Sequence, residues 1–452
     1  MIPADLVVSG ISELATAEGN AALAGPDTGR LRIIRNAAVA CHEGRIVFVG
    51  EEAECIATVQ PTEDCTPVDA AGGTVLPGFV DAHTHLPFAG WRETEFDERL
   101  KGATYSDIAA RGGGILSTVE AVRKMDRKTL AASVRGRLND LLAQGTTTAE
   151  AKSGYGLDPD AEIMQLEALQ DAGSGHPVQL ATTFLGAHTV PKEYRGDRQR
   201  YIQLILDEML PQVSGRRLAT FADAFVDANA FSVEEARLIL EAAKGYGLKV
   251  RLHADQLADD GGALLAAELE AASADHLEYA SDEGLEAMAR AGTCGVLLPA
   301  ATFFLMMDRK PPGRRLLDAG VPVVVATDFN PGTCPCESMS AAVWFACLTA
   351  GLGVDEAITA TTLNAAASLG LAEEVGTIEV GKRADLVVHD FPNRYHLVYR
   401  FGIPRIKAVV ADGRRVARSV QGGAATGGAG SVPGANQMDD EQPQGVPGHR
   451  HL

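Results

Sequence analysis

His83 and His85 stand one residue apart at the end of the apolar run 74–80. Side chains alternate faces along a strand, so residues i and i+2 project the same way and can grip one metal ion together. Alone, such a pair is as often an ordinary core or surface feature as a pair of ligands. Further along, other apolar runs also end in polar side chains able to bind or react: Lys152, His188, Asp227, His253, His276 and Asp328. Five of the 11 histidines fall at such ends, more than chance placement gives. Imidazole and carboxylate, with a position open for water, suit a divalent transition metal, zinc or iron(II). The expected ligands are His83, His85, His253 and Asp328. Such an ion lowers the pKa of bound water towards neutrality, supplying hydroxide as nucleophile, and polarises a substrate carbonyl. His276 is then free for proton transfer, and Asp328 is expected to share that task while touching the metal.

Residues so far apart in the chain need elements that converge. Eight apolar runs, 74–80, 146–151, 178–185, 221–226, 249–252, 272–277, 293–298 and 321–326, alternate with helical patterns. One of these, 232–246, opens with Ser232 and Glu235 as a capping box, and Gly247 sits where a helix would stop. Eight βα units in series predict an α/β fold, a closed (β/α)8 TIM-type barrel with its chemistry at the C-terminal strand ends. An open doubly wound sheet would also alternate strands and helices. However, no glycine-rich phosphate loop follows the first run, and the polar residues are spread over many strand ends.

The flanks read differently. Short β-type runs at 31–39 and 45–49 return in kind at 384–389 and 406–410, the last followed by the turn Asp412-Gly413. The expectation is a small composite β-sandwich domain, built from 1–73 and 375–418, attached to a metal-dependent barrel over 74–374. Beyond Ser419 the chain turns to Gly, Ala, Pro and Gln, which cannot bury enough apolar surface to fold, so 419–452 is expected to be a disordered tail.

With 46% apolar residues in 452, the chain can build a sizeable core. A formal charge of −20 argues against nucleic acid or anionic membrane as partners, because both need clustered Lys and Arg. The first ten residues carry Asp5 and no basic stretch, and no apolar run is long enough to span a bilayer, so a cytoplasmic location is expected. Seven scattered cysteines fit reduced thiols, and Cys334 and Cys336 read more simply as loop residues than as a soft-metal site.

The segment Pro77-Gly78-Phe79-Val80-Asp81-Ala82-His83-Thr84-His85 resembles the first barrel strand of the amidohydrolase superfamily, and Gly381-Lys382-Arg383-Ala384-Asp385-Leu386 resembles its closing β segment. Segments 92–100, 112–118, 152–156, 184–190, 252–256, 274–281 and 327–335 are similar to the branch that opens an imidazolone ring. Lys-Ser-Gly-Tyr-Gly, Ala-Asp-His-Leu-Glu-Tyr and Asn-Pro-Gly-Thr are its most specific motifs. The resemblance covers about 74–413. It implies hydrolysis of the cyclic amide C–N bond of 4-imidazolone-5-propanoate to N-formimidoyl-L-glutamate, in histidine degradation, by a homodimer with one divalent metal ion, zinc or iron, per chain. It also implies substrate contacts from Arg92, Tyr155, His188, Gln256, Asn330, Gly332 and Thr333.

Physical sense agrees for several of these. Arg92 offers a permanently charged planar fork for the propanoate, and Tyr155 and Gln256 can hydrogen-bond a ring edge. Gln256 replaces a Glu found in some members; it cannot take a proton, which leaves proton transfer to His276 and Asp328. Trp91 departs from the small or acidic residue expected before Arg92. Asn330 and Gly332 also fit a plain turn before Pro335, and Asp227 a structural acceptor. Binuclear amidohydrolases bridge two metals through a carboxylated lysine, but the branch resembled here is mononuclear, and a buried Lys152 can pair with Glu150 or Glu278 instead. Two other readings are a related amidohydrolase or deaminase acting on another small heterocycle and a catalytically silent ligand-binding barrel. Arg92 argues against a deaminase of neutral bases, and the full set of ligands with His276 argues against a silent barrel.

Overall fold

The computed structural model describes residues 1–416, apart from 104–106, 109–110 and 228–229; the tail expected at 419–452 lies outside the described residues. The chain begins with β1 (Ile2–Thr16), β2 (Arg32–His42), β3 (Arg45–Glu51), β4 (Val59–Asp69) and β5 (Thr74–Pro77). Eight parallel strands follow: β6 (Phe79–Asp81), β7 (Thr146–Lys152), β8 (Gln179–Ala187), β9 (Phe221–Phe225), β10 (Lys249–Ala254), β11 (Ser273–His276), β12 (Cys294–Leu297) and β13 (Val323–Val325). β14 (Leu386–His389), β15 (Ile406–Ala411) and β16 (Arg414–Val416) then return to the first sheet, where β14 pairs antiparallel with β5. Leu6, Val39 and Val75 share one apolar core with Leu386, Val388 and Val410, so the two ends of the chain stabilise each other.

β7, β11, β12 and β13 are buried at every position, as expected of parallel strands covered by helices, although β7 and β11 carry polar and charged residues within that burial. The helix Val233–Gly245 carries the anticipated Ser232–Glu235 capping box, and Gly247 follows its end at φ +82°. The run 74–80 is a correction. It divides at Gly78 between two sheets: Leu76 pairs with Val387 of the terminal sheet, whereas Val80 pairs with Thr148 of the barrel. β1, the long first strand, was also not anticipated; its register slips between Val8 and Ile11, which interrupts the period-two pattern.

The seam between β6 and β13 bears directly on chemistry. Asp81 accepts hydrogen bonds from the Thr327 backbone N–H at 3.1 Å and its hydroxyl at 2.6 Å. Just beyond the strand ends, the Asp328 N–H donates to the His83 carbonyl at 3.1 Å, and the His85 N–H to the Phe329 carbonyl at 2.9 Å. The same backbone bonds that join the first and last strands therefore lock His83, His85 and Asp328 side by side.

Candidate metal centre and active site

His83, His85 and His253 converge at the C-terminal mouth, all buried, with one nitrogen of each within 4.8 Å of the others. His83 Nε2 and His85 Nε2 lie 3.6 and 3.5 Å from the same Asp328 Oδ1. Those separations are too long for good hydrogen bonds. They match donors around a common centre, since two atoms about 2.1 Å from a tetrahedral ion are about 3.4 Å apart. The Nε2 atoms of His83 and His253 are buried without a hydrogen-bond partner among the described residues. Burial holds His83 and His85 well below the usual imidazole range, with neighbouring cations and imidazoles adding to the effect, so both rings are neutral and can offer lone pairs. This donor set fits a divalent metal ion.

Each ring is oriented from behind. His83 Nδ1 meets Asp275 Oδ2 at 2.6 Å, and His253 Nδ1 meets Asp223 Oδ1 at 3.1 Å, so both rings present Nε2 to the centre. These carboxylates belong to a buried layer. Lys152 Nζ lies 3.0 Å from Glu150 and 3.0 Å from Asp223, and Arg251 Nη2 lies 3.2 Å from Asp275. Burial opposes charge on both aspartates. His253 and Lys152 nevertheless hold Asp223 far below the carboxylate range, and Arg251 and Lys152 lower Asp275. Lys152 thus pairs with Glu150, one of the two partners foreseen, and lies beneath the histidines. Asp223, Asp275 and Arg251 were missed by sequence reasoning; the signal was a charged residue inside an otherwise apolar barrel strand.

The substrate-side residues differ in how they are engaged. His188 stacks on His85 with centroids 5.3 Å apart, and its Nδ1 lies 2.9 Å from the Gly154 carbonyl, which leaves Nε2 as the acceptor. Burial pulls its pKa down to about 3. The Tyr155 ring lies 5.8 Å from His85 and 5.4 Å from His188. Its loop is held by Glu162, whose Oε1 accepts from the Gly156 and Leu157 N–H groups, and by Gln165, which accepts from the Tyr155 N–H. Gln256 follows β10 half-buried and forms no hydrogen bond among the described residues. Asp227 is buried just past β9, where its backbone bonds to Phe231 and Ala230.

Asn330 spends its amide on its own loop: Nδ2 donates to the Asp328 carbonyl and Thr333 Oγ1, and Oδ1 accepts from the Gly332 and Thr333 N–H groups. Arg92 lies against that loop, paired through Nε and Nη2 with Glu95 at 2.8 and 2.7 Å, and its Nη1 would sit 2.0 Å from a Cβ at Gly332. Trp91 packs against Phe88 and Phe329 and remains half exposed. His276 ends β11 near His83 and His253, with centroids 5.8 and 5.5 Å away, and burial lowers its pKa to about 3. Cys334 and Cys336 are free thiols in the loop after β13.

A parallel barrel with imidazoles and a carboxylate gathered at its mouth defines a class, the amidohydrolases, and residues 74–416 match the model of the amidohydrolase family. The chain belongs to that family. Within it the chain falls among the imidazolonepropionases. It is 47% identical to the imidazolonepropionase of Symbiobacterium thermophilum over 92% of this chain and 98% of that protein, and 46% identical to that of Myxococcus xanthus over 93% and 99%. Among solved structures, a zinc-bound adenosine deaminase from Xanthomonas campestris shares the fold, with a TM-score of 0.67 at 19% identity, over 92% of this chain and 93% of that one.

Proposed function

We propose that the chain hydrolyses the cyclic amide of 4-imidazolone-5-propanoate to N-formimidoyl-L-glutamate, a step of histidine degradation. One observation carries the reading: three imidazoles and Asp328 meet at the barrel mouth, and Arg92 lies over the loop that bears Asp328. His83, His85, His253 and Asp328 would hold one zinc or iron(II) ion. When bound, such an ion supplies Lewis acidity and acidifies water. Arg92 takes the propanoate carboxylate, exchanging Glu95 for it as the ring enters. His188 Nε2 and Tyr155 meet the ring, Gln256 approaches from the loop after β10, and Asn330, Gly332 and Thr333 shape the loop beneath. Water adds across the C–N bond; its proton passes through His276 and Asp328 to the departing ring nitrogen, and the carbonyl carbon becomes a carboxylate.

The engagement of Lys152 by carboxylates favours one metal over a bridged pair. Metal analysis finding two equivalents per chain, with activity dependent on bicarbonate, would overturn that. We further place the chain in the cytoplasm as a homodimer; among the described residues no helix is long and apolar enough to cross a membrane. The decisive assay incubates metal-loaded protein with freshly generated imidazolone propanoate and follows the ring chromophore. Its steady loss is expected; unchanged absorbance with metal-replete protein rejects the reading.

A further inference from the structure

His276 and Glu278 lie two residues apart where β11 ends, on a sharply bent backbone. His276 and Leu277 both take left-handed φ values, +83° and +71°. Residues with large side chains rarely adopt that region, and such strain persists where the surroundings over-determine it, most often at functional sites. The bend brings Glu278 Oε2 to 4.0 Å from His276 Nδ1. Glu278 is 1% exposed. Its Oε1 accepts from the Thr302 hydroxyl at 2.9 Å, and its backbone carbonyl accepts from Arg309 Nε at 2.8 Å. Oε2 alone has no hydrogen-bond partner among the described residues. A buried carboxylate oxygen left unpaired costs free energy, so its retention beside an imidazole needs a reason.

We propose that Glu278 is a positioning residue for His276: Oε2 accepts a hydrogen bond from Nδ1–H, fixes the tautomer that presents Nε2 to the substrate, and stabilises the imidazolium formed when Nε2 takes a proton. The inference rests on the ring-opening reading, in which His276 carries that proton. A carboxylate held behind an imidazole performs this service without becoming protonated itself. The proton arrives at Nε2 from water and leaves from Nε2 to the departing ring nitrogen, so Glu278 gains and loses none over a cycle. Catalytic hydrogen bonds are often long before substrate binds and tighten in the substrate complex, and the 4.0 Å separation closes in that step. Burial pushes the Glu278 carboxyl up to about 7, so a partner that favours its charged form is what it lacks. Around the pair, His253 packs against His276, the charges of Asp275, Asp223 and Lys152 act on it, and Asp328 feels the charge of Glu278.

The test is Glu278→Gln, which keeps shape and the acceptor for Thr302 but loses the charge. Expected are a kcat lowered roughly 10- to 100-fold, KM, metal content and melting temperature near wild type, and partial recovery in Glu278→Asp. Nitrogen-15 spectra of histidine-labelled, metal-loaded protein should show the Nδ1–H tautomer of His276 in wild type and its loss in the variant. Wild-type kcat in Glu278→Gln, or a fall matched by equal loss of metal or of melting temperature, overturns the proposal. Should that variant not fold, Thr302→Val releases one anchor and is expected to lower kcat severalfold, and no change there is equally fatal. Failure of the wild type to open the ring would sink the ring-opening reading, whereas the tautomer signal reports on the pair independently.

Discussion

Gly332 carries no side chain because the Arg92 guanidinium occupies the space where one would stand. The obstructed atom is the far end of a flexible side chain, so Gly332→Ala should change stability by less than about 1 kcal/mol. It should nevertheless displace the fork proposed to hold the propanoate, raising KM roughly 10- to 100-fold, as expected for a lost charged hydrogen bond. Steady-state kinetics beside a melting curve check this, and an unchanged KM would remove Arg92 from the substrate site. Asp275 permits a second residue-scale prediction. It backs His83 Nδ1 at 2.6 Å and also faces Arg251 and Lys152. Asp275→Asn should therefore weaken metal retention by roughly 10- to 100-fold, measured by competition with a chelator. Retention equal to wild type would show that the carboxylate does not support the centre.

Gly78 is where one run of sequence changes sheets. A Cβ there would stand 2.2 Å from Thr147 Oγ1 and 2.7 Å from its Cγ2, on the barrel strand next to β6. Gly78→Ala should push β6 from β7 and cost roughly 1–3 kcal/mol, read by urea unfolding; a variant as stable as wild type would mean that the joint relaxes freely. The same joint explains what was legible in the sequence. An apolar run reports burial but not the partner, so 74–80 read as one strand although Leu76 and Val80 pair in different sheets. The barrel and its mouth were legible because eight runs alternate with helical periods and their ends carry histidines. The layer beneath was not: Asp223, Arg251 and Asp275 sit inside apolar runs, and only the closed barrel shows that they face a common axis. Asn330 and Gly332 were visible as turn residues. Asn330 turns its amide onto its own loop, a local arrangement, whereas the room that Gly332 clears for Arg92 depends on a contact between segments some 240 residues apart in sequence.

At the scale of the whole molecule, one surface is more apolar than solvent alone would favour. Phe303 stacks on Phe345 at 4.7 Å, and Trp344 meets Phe401 at 6.4 Å and donates to the Leu397 carbonyl, so the helices Pro299–Phe304, Met339–Thr349 and His396–Tyr399 share one face. Phe303 and Phe401 of these ring pairs, and Leu348 and Tyr399 on these helices, are each more than 60% exposed. Single exposed apolar residues are ordinary, but aromatic residues grouped in this way are the kind of surface that association would cover. The proposed homodimer supplies an occupant, because a second copy presents the same patch and can cover it by two-fold symmetry. Light scattering on the purified protein should give twice the chain mass. Tyr399→Glu with Phe401→Glu should shift it towards the single-chain value by setting like charges against each other across the interface. Neither Tyr399 nor Phe401 is among the residues proposed to hold the metal, so metal content should persist in the separated chains. A dimer unaffected by both charges would place the interface elsewhere, and a wild-type monomer would leave the aromatic face without its proposed partner.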